Sequence, residues 1–496
     1  MAGVSADPVD ASVTSREAAW DLYEMIQACL QAPSYHLLFE AVLIVWIIQL
    51  LFVKSYKAKA TLTEKEKEEL IEDWRPEPLV PEVDPEHPVL QDMENRLIDG
   101  KIGRHVNING KTYLNVASMN FLGMSGRVDI EASISTEYSQ AEVAIDTVKK
   151  YGVGSCGPRG FYGTVDVHLE LEDKLAEFMG VEEVIMYSYG LATISSAIPA
   201  YSKRGDIIFC DEGVNFSIQK GLVASRSKIY FFKHNDLEDL EGLLKAQERE
   251  DKQNPKKAKV TRRFLVVEGL YMKYGDFCPL PKLVELKWKY KVRIFLDETL
   301  SFGTLGATGR GITEHYGISI DNIDLMAASL EHAFGSYGGF CCGRSYVVDH
   351  QRLSGLGYCF SASTPPMLTT AAIKALSILQ ENPELLTKLH DNIRYIYEKL
   401  SKINGLRVMG ETVSPMLFLQ LAGPSDNREL DKAILRKIVQ KAEEQGVVLI
   451  LAAYLEEEEH TLPPPSIRIS VSAELTHNDI DRVVSVIDDC YQNTVS

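Results

Sequence analysis

Seventeen positions from Leu37 to Val53 are apolar except for Glu40 and Gln49. As a helix the run measures about 26 Å, just short of a typical hydrocarbon core and suited to a thin membrane such as the endoplasmic reticulum. The pattern predicts one transmembrane helix over 37–53. A buried core helix has a similar composition and is the alternative. A cleaved signal peptide fits less well, because the run is distant from Met1 and its leading flank is acidic. Asp7, Asp10, Glu17, Asp21 and Glu24 precede the run, and Lys54, Lys57 and Lys59 follow it. The positive-inside tendency places the C-terminal side in the cytosol. Glu40 then lies near the far interface, either solvated or facing a partner's donor. Upstream, Trp20, Leu22, Tyr23, Ile26 and Leu30 recur at helical spacing, which predicts a short interfacial helix within 16–32. Downstream, 61–74 is rich in Lys and Glu and predicts a solvated helix. Pro76, Pro78, Pro81, Pro85 and Pro88 then mark an extended tether.

Beyond residue 90 the periodicity changes. Short β-rich apolar runs at 183–187, 206–210, 264–268, 293–296 and 324–328 alternate with helical stretches at 167–179, 237–248 and 282–289. Such alternation predicts an α/β domain with a mostly parallel sheet and helices on both faces. Ligands of such sheets bind at the carboxyl ends of the strands. From about Gly405 an α+β pattern follows: strands at 406–409, 416–421, 447–451 and 467–471, a helix over 429–444 and a closing helix after Asn478. The expected division is 1–36 (acidic, amphipathic), 37–53 (membrane helix), 54–90 (charged, Pro-rich tether), 91–390 (large domain) and 391–496 (small C-terminal domain).

Charge and cysteine usage narrow the chemistry. A formal net charge of −18 leaves no excess of cations for phosphate backbones, so no nucleic-acid partner is expected. The eight cysteines lack metal-ligand spacing, and Cys341-Cys342 are adjacent. They predict reduced thiols and no metal.

Three motifs carry candidate chemistry. Tyr151 to Thr164 is a Gly-rich loop before a helix, either a phosphate-binding turn or a tight packing loop. Leu296-Asp297-Glu298 stands at a strand's end before a Gly-studded loop. Asp297 could pair with a protonated ring nitrogen or act as a loop carboxylate. Ala328 to Gly339 is an apolar strand followed by a Gly-rich turn, and it contains no lysine.

The order of these motifs resembles the α-oxoamine synthases, fold-type I pyridoxal-phosphate (PLP) enzymes. Asn120-Phe121-Leu122-Gly123 comes first, then the Gly-rich loop, Ser188-Tyr189-Gly190, Phe232-Lys233-His234-Asn235, Val267-Glu268-Gly269, Leu296-Asp297-Glu298 and Phe360 to Pro366. The resemblance covers about residues 105–490. It implies a PLP-transferase-like large domain, a small flanking domain, and condensation of an amino acid with an acyl-CoA. The membrane run, Trp74-Arg75-Pro76-Glu77-Pro78, Cys156-Gly157-Pro158-Arg159-Gly160-Phe161-Tyr162-Gly163 and Leu462 to Arg468 narrow the implied substrates to L-serine and palmitoyl-CoA.

Carried over residue by residue, the resemblance exposes losses. The Schiff-base lysine falls on His332, and an imidazole cannot form that bond. The family's cofactor histidines fall on Leu300 and Asn215, and its Gly-Tyr tyrosine falls on Leu191. Asp297 is kept, as a vestigial cofactor acid. Arg468 matches an arginine associated with the substrate carboxylate. Fold-type I enzymes place their sites at a dimer interface. The resemblance therefore implies a heterodimer with a lysine-bearing homologous subunit that holds the PLP covalently, and it leaves room for small membrane subunits. Cys156, Gly157, Arg159, Tyr162, Ser361 and Ser363 are the candidates for contributing to the partner's site, or for preserving dimer packing. Two other functions remain open: a self-sufficient PLP acyltransferase, and a membrane scaffold or regulator.

Overall fold

The computed structural model describes residues 33–52, 62–76, 96–125 and 140–495, together with Gln27 and Leu79. The chain divides into two units, Met1–Gln91 and Asp92–Ser496.

In the first unit, Ser34–Phe52 is a single helix. It is long and apolar enough to cross a membrane, and none of its apolar window is buried in protein. It begins three residues before the predicted start. The helix predicted over 61–74 appears as Glu64–Asp73. Its start is fixed by a capping box. Thr63 Oγ1 accepts from Glu66 N–H (3.3 Å), and Glu66 Oε2 accepts from Thr63 N–H (2.8 Å). The predicted interfacial helix and most of the Pro-rich tether lie outside the described residues.

The second unit is organised on three sheets. Three strands open it: β1 (Ile98–Asp99), β2 (His105–Ile108) and β3 (Lys111–Asn115). Seven then form the large sheet: β4 (Glu183–Tyr187), β5 (Ile207–Asp211), β6 (Lys228–Phe232), β7 (Arg263–Glu268), β8 (Arg293–Asp297), β9 (Leu325–Ser329) and β10 (Gly339–Gly343). Their order is β4-β10-β9-β8-β7-β5-β6. Strands β9, β8, β7, β5 and β6 run parallel, and β10 is antiparallel to both of its neighbours. The interior strands are apolar on both faces, as a sheet covered by helices on each side requires.

Strands β6 and β10 were not among the predicted ones. β10 is Gly-Phe-Cys-Cys-Gly, five residues with glycine at each end, and it begins on the last residue of the Gly-rich turn that ends at Gly339. Its burial explains the adjacent cysteines. Cys341 and Cys342 are both fully inside the core, on opposite faces of the strand.

The C-terminal sheet is built from β11 (Leu406–Met409), β12 (Met416–Leu421), β14 (Ile450–Leu451) and β15 (Ile467–Ser470), in the order β11-β12-β15-β14. The run 447–451, predicted as one strand, is divided. Val447–Val448 (β13) pairs parallel with β3, and Ile450–Leu451 pairs antiparallel with β15. Between them Leu449 is buried, where the chain crosses from one sheet to the other. The opening hairpin is thus built onto the C-terminal layer, and Ser470 N–H closes the join by donating to Val116 O (2.8 Å).

Candidate cofactor cleft

The carboxyl edge of the large sheet gathers acids. Asp211 ends β5, Glu268 ends β7, Asp297 ends β8, and Glu331 follows β9. Glu268 and Asp297 are register partners on adjacent parallel strands, and both are buried. Asp297 accepts from Thr299 N–H (2.9 Å) and Thr299 Oγ1 (2.5 Å) through one oxygen, and from Asn215 Nδ2 (3.0 Å) through the other. Asn215 is itself the N-cap of helix Phe216–Ser225, where its Oδ1 accepts from Ile218 N–H. The same residue's backbone N–H donates to Glu268 Oε1 (2.5 Å), and Met272 N–H donates to Glu268 Oε2 (3.0 Å).

Burial is the main cause of the shifted acidities here. It pushes Asp297 upward from the usual carboxyl range. Burial and then the neighbouring Asp297 charge push Glu268 up to about 8. Glu298, buried beside them, is pushed up to about 7 by burial, although Ile312 N–H and the Ser301 hydroxyl donate to it.

His332 stands one residue beyond Glu331. Its carbonyl accepts from Phe121 N–H (3.1 Å), and the two rings lie 6.4 Å apart. Burial, then the charge of Arg468, holds its imidazole down at about 4, so it is neutral at physiological pH. Arg468 lies on β15, which is an inner strand between β12 and β14 rather than an edge. Its Nη2 donates to Ala117 O (3.0 Å), and its buried Nε has no partner. No carboxylate pairs with it among the described residues. Leu300 is buried in the core, and Leu191 is half exposed on the first turn of helix Gly190–Tyr201.

A second cluster joins two loops that are distant in sequence. Gly157 O accepts from Ser363 N–H (3.0 Å), Ser155 Oγ donates to Ser363 O (2.8 Å), and the Ser363 hydroxyl donates to Gly163 O. A Cβ at residue 163 would lie 1.8 Å from Gly157 O, so only glycine permits this clamp. Arg159 turns inward. It makes a two-pronged, buried pair with Glu172 (2.8 and 2.9 Å) and donates through Nε to Thr164 Oγ1. Cys156 is exposed and Ser361 half-buried. Tyr162, held at φ +64°, is 93% exposed; Phe161 beside it in sequence and Phe360, at the end of helix Leu356–Phe360, are exposed as well.

The structure therefore unites Asn215 with Asp297 and places His332 beside Arg468. It also ties Gly157 to Ser363. Sequence reasoning missed three buried or bridging groups. Glu172 receives Arg159. His168 bridges Val165 N–H and Thr364 O (2.7 Å). Glu331 Oε1 accepts from Gly190 N–H (2.8 Å). The one sequence signal for Glu331 was its place next to His332, where the resemblance expects a lysine.

The class I and II aminotransferase family model matches residues 120–487. Serine palmitoyltransferase 1 of Dictyostelium discoideum is 43% identical over 478 residues, covering 95% of this chain and 96% of that protein. Long chain base biosynthesis protein 1 of Arabidopsis thaliana is 41% identical, covering 90% of this chain and 89% of that protein. Among solved structures, a serine palmitoyltransferase of Sphingomonas wittichii has a TM-score of 0.70 at 23% identity, covering 87% of this chain and 96% of that one. An SPT solved with its PLP internal aldimine also gives 0.70, at 24% identity, over 81% and 93% of the two chains. At these identities the solved structures establish a shared fold. With the family model and the curated relatives, they place the chain in the class I and II aminotransferase family, on its serine palmitoyltransferase 1, or long chain base biosynthesis protein 1, branch.

Proposed function

We propose that the chain is the lysine-less, non-catalytic but required subunit of a serine palmitoyltransferase. A homologous partner subunit supplies the lysine and holds the pyridoxal phosphate covalently. The assembled pair condenses L-serine with palmitoyl-CoA to 3-oxosphinganine, the first step of sphingolipid synthesis. The 34–52 helix tethers the chain to the endoplasmic reticulum membrane with the C-terminal domain in the cytosol, and small membrane subunits can join there. The tether keeps the site beside a lipid substrate and a lipid product.

The carrying observation is the state of the chain's own cleft. PLP does not fit it. His332 offers a neutral imidazole in place of an amine, and Asp297 already has an amide donor. The two buried lysines of the described residues are committed elsewhere, Lys273 to Glu459 (2.6 Å) and Lys287 to Asp324 (2.6 Å). A rescuing lysine is therefore not at hand. What this chain offers is a surface. The clamped loops 155–163 and 360–364 hold Cys156, Phe161, Tyr162 and Phe360 outward, and aromatic groups of this kind are enriched at interfaces. Arg159 and Ser363 support that surface from inside.

The test is co-purification of the full-length chain with its lysine-bearing homologue, followed by borohydride reduction and mapping of the cofactor-labelled peptide. The label is expected in the partner alone. A label on any lysine of this chain would overturn the reading and favour a self-sufficient acyltransferase.

A further inference from the structure

A helix N-terminus presents N–H groups without intrahelical partners and the positive end of the helix dipole. When it follows a strand and a glycine, it forms a seat for phosphate. Helix Gly190–Tyr201 meets this description. It follows β4 after Ser188 and Tyr189, begins on Gly190, and receives no cap from the Tyr189 side chain. Two other helices of this unit are closed differently. The 216–225 helix is capped by Asn215, and helix Asp166–Met179 begins on an acid whose Oδ1 accepts from Val167 N–H.

At Gly190 the anion is supplied by the chain itself. Glu331 Oε1 accepts from Gly190 N–H at 2.8 Å, across 141 residues of sequence. Glu331 is fixed in turn, because its own N–H donates to Ser329 Oγ (3.1 Å). A Cβ at residue 190 would lie 3.0 Å from both Glu331 Oε2 and Ser329 Oγ, so the glycine is what lets the carboxylate approach the helix end.

We infer that Glu331 is a built-in occupant of the phosphate seat, its carboxylate standing in for the phosphate of a phosphorylated pyridine cofactor. A phosphate dianion brought to Gly190 meets a carboxylate already bonded there and is repelled by it. Loss of the lysine alone would leave a pocket able to bind PLP without a covalent link. Glu331 makes the cleft refuse the cofactor altogether, which reserves one cofactor for each pair of subunits. This inference rests on the proposed subunit role for that count, and on geometry alone for the seat.

The experiment uses the full chain assembled with its lysine-bearing homologue. PLP is released with alkali and counted for three forms: wild type, His332→Lys, and Glu331→Ser/His332→Lys. One PLP per pair is expected for the first two and two for the third, with the added site binding at least ten-fold more tightly than in His332→Lys. If His332→Lys alone holds a second PLP as firmly as the double variant, the inference fails. It fails equally if the double variant assembles and still holds one. Should the serine variant not accumulate, Glu331→Ala replaces it. Inorganic phosphate gives a readout independent of lysine. The melting temperature of Glu331→Ser should rise in millimolar phosphate, whereas that of wild type should not. An equal response in both sinks the inference. A borohydride label on the wild-type chain would instead sink the subunit role, so the two failures are separable.

Discussion

Asn215 Nδ2 and Asp297 Oδ2 are hydrogen-bonded at 3.0 Å between two positions 82 residues apart, inside the cleft. The acid that the family resemblance assigns to a cofactor ring is bonded instead to the residue standing where a cofactor histidine is expected. A buried carboxylate without a donor is costly. The Asn215 amide supplies such a donor from the protein and keeps the buried Asp297 tolerable.

Removing that donor should therefore be expensive. Asn215→Ala is expected to destabilise the chain by about 2–4 kcal/mol, combining a lost helix cap with an unsatisfied buried acceptor. Asp297→Asn should cost less, because it removes the buried charge and keeps one carbonyl oxygen that can accept from Asn215 Nδ2. Urea denaturation of both variants, compared with wild type, measures the order. The reverse order would refute the compensation.

Glu268 sets a pH dependence of known sign. Its folded pKa, about 8, lies above the ordinary 4.5. The stability associated with its proton is fully present below pH 4.5 and is lost as pH rises towards 8. Glu268→Gln should therefore gain on wild type progressively across that window, with no further gain above it. Melting temperatures at half-unit pH steps test this. A difference that shrinks with rising pH would show that the carboxylate is held charged.

His234 should add a second, more alkaline loss. Burial opposes its charge, but hydrogen bonds to Asp211 (2.8 Å) and Asp276 (3.0 Å) outweigh this and raise it to about 10. The folded value again exceeds the unfolded one, so its contribution is complete below about 6.5 and is lost as pH rises through about 10. His234→Gln should flatten the stability curve between those values. An imidazole titrating near neutrality by NMR would contradict it.

The clamp between the two loops predicts a steric lesion at Gly163. A Cβ there cannot coexist with Gly157 O at 1.8 Å, so Gly163→Ala should separate the loops and lower both stability and activity of the assembled complex. Ser363→Ala, which loses only a hydroxyl, should cost about 1 kcal/mol. Equal effects of the two would mean that the loops are not held as described.

Arg159 and Cys156, three residues apart, should behave oppositely. Arg159→Ala leaves Glu172 buried and uncompensated, at a cost of about 3–5 kcal/mol in chain stability. Cys156→Trp falls on an exposed position and should leave chain stability within about 0.5 kcal/mol of wild type, while changing the activity or amino-acid preference of the complex. Thermal melts paired with assays of the complex separate the two roles. An unchanged complex in Cys156→Trp would place that loop outside the shared site.

The sequence by itself determined much of the architecture. The long apolar run, broken only by Glu40 and Gln49, gave the N-terminal helix, because backbone groups and apolar side chains are read locally. Strands at 183–187, 406–409 and 416–421 were legible for the same reason, being short apolar runs with clear boundaries. The substitution at His332 was legible because the absence of one functional group is visible in a single residue. Other features depended on distance in space. Whether 447–451 made one strand or two was decided by β3 and β15, which compete for its backbone. Arg159, which looks like a site residue on its loop, was drawn inward by Glu172 on a later helix. The bond from Asn215 to Asp297 and the approach of Glu331 to Gly190 join residues far apart in the chain. Sequence could show that the Ala328 to Gly339 motif holds His332 and no lysine. Only the folded sheet, which brings the carboxyl ends of separate strands to one edge, decided what stands around that position.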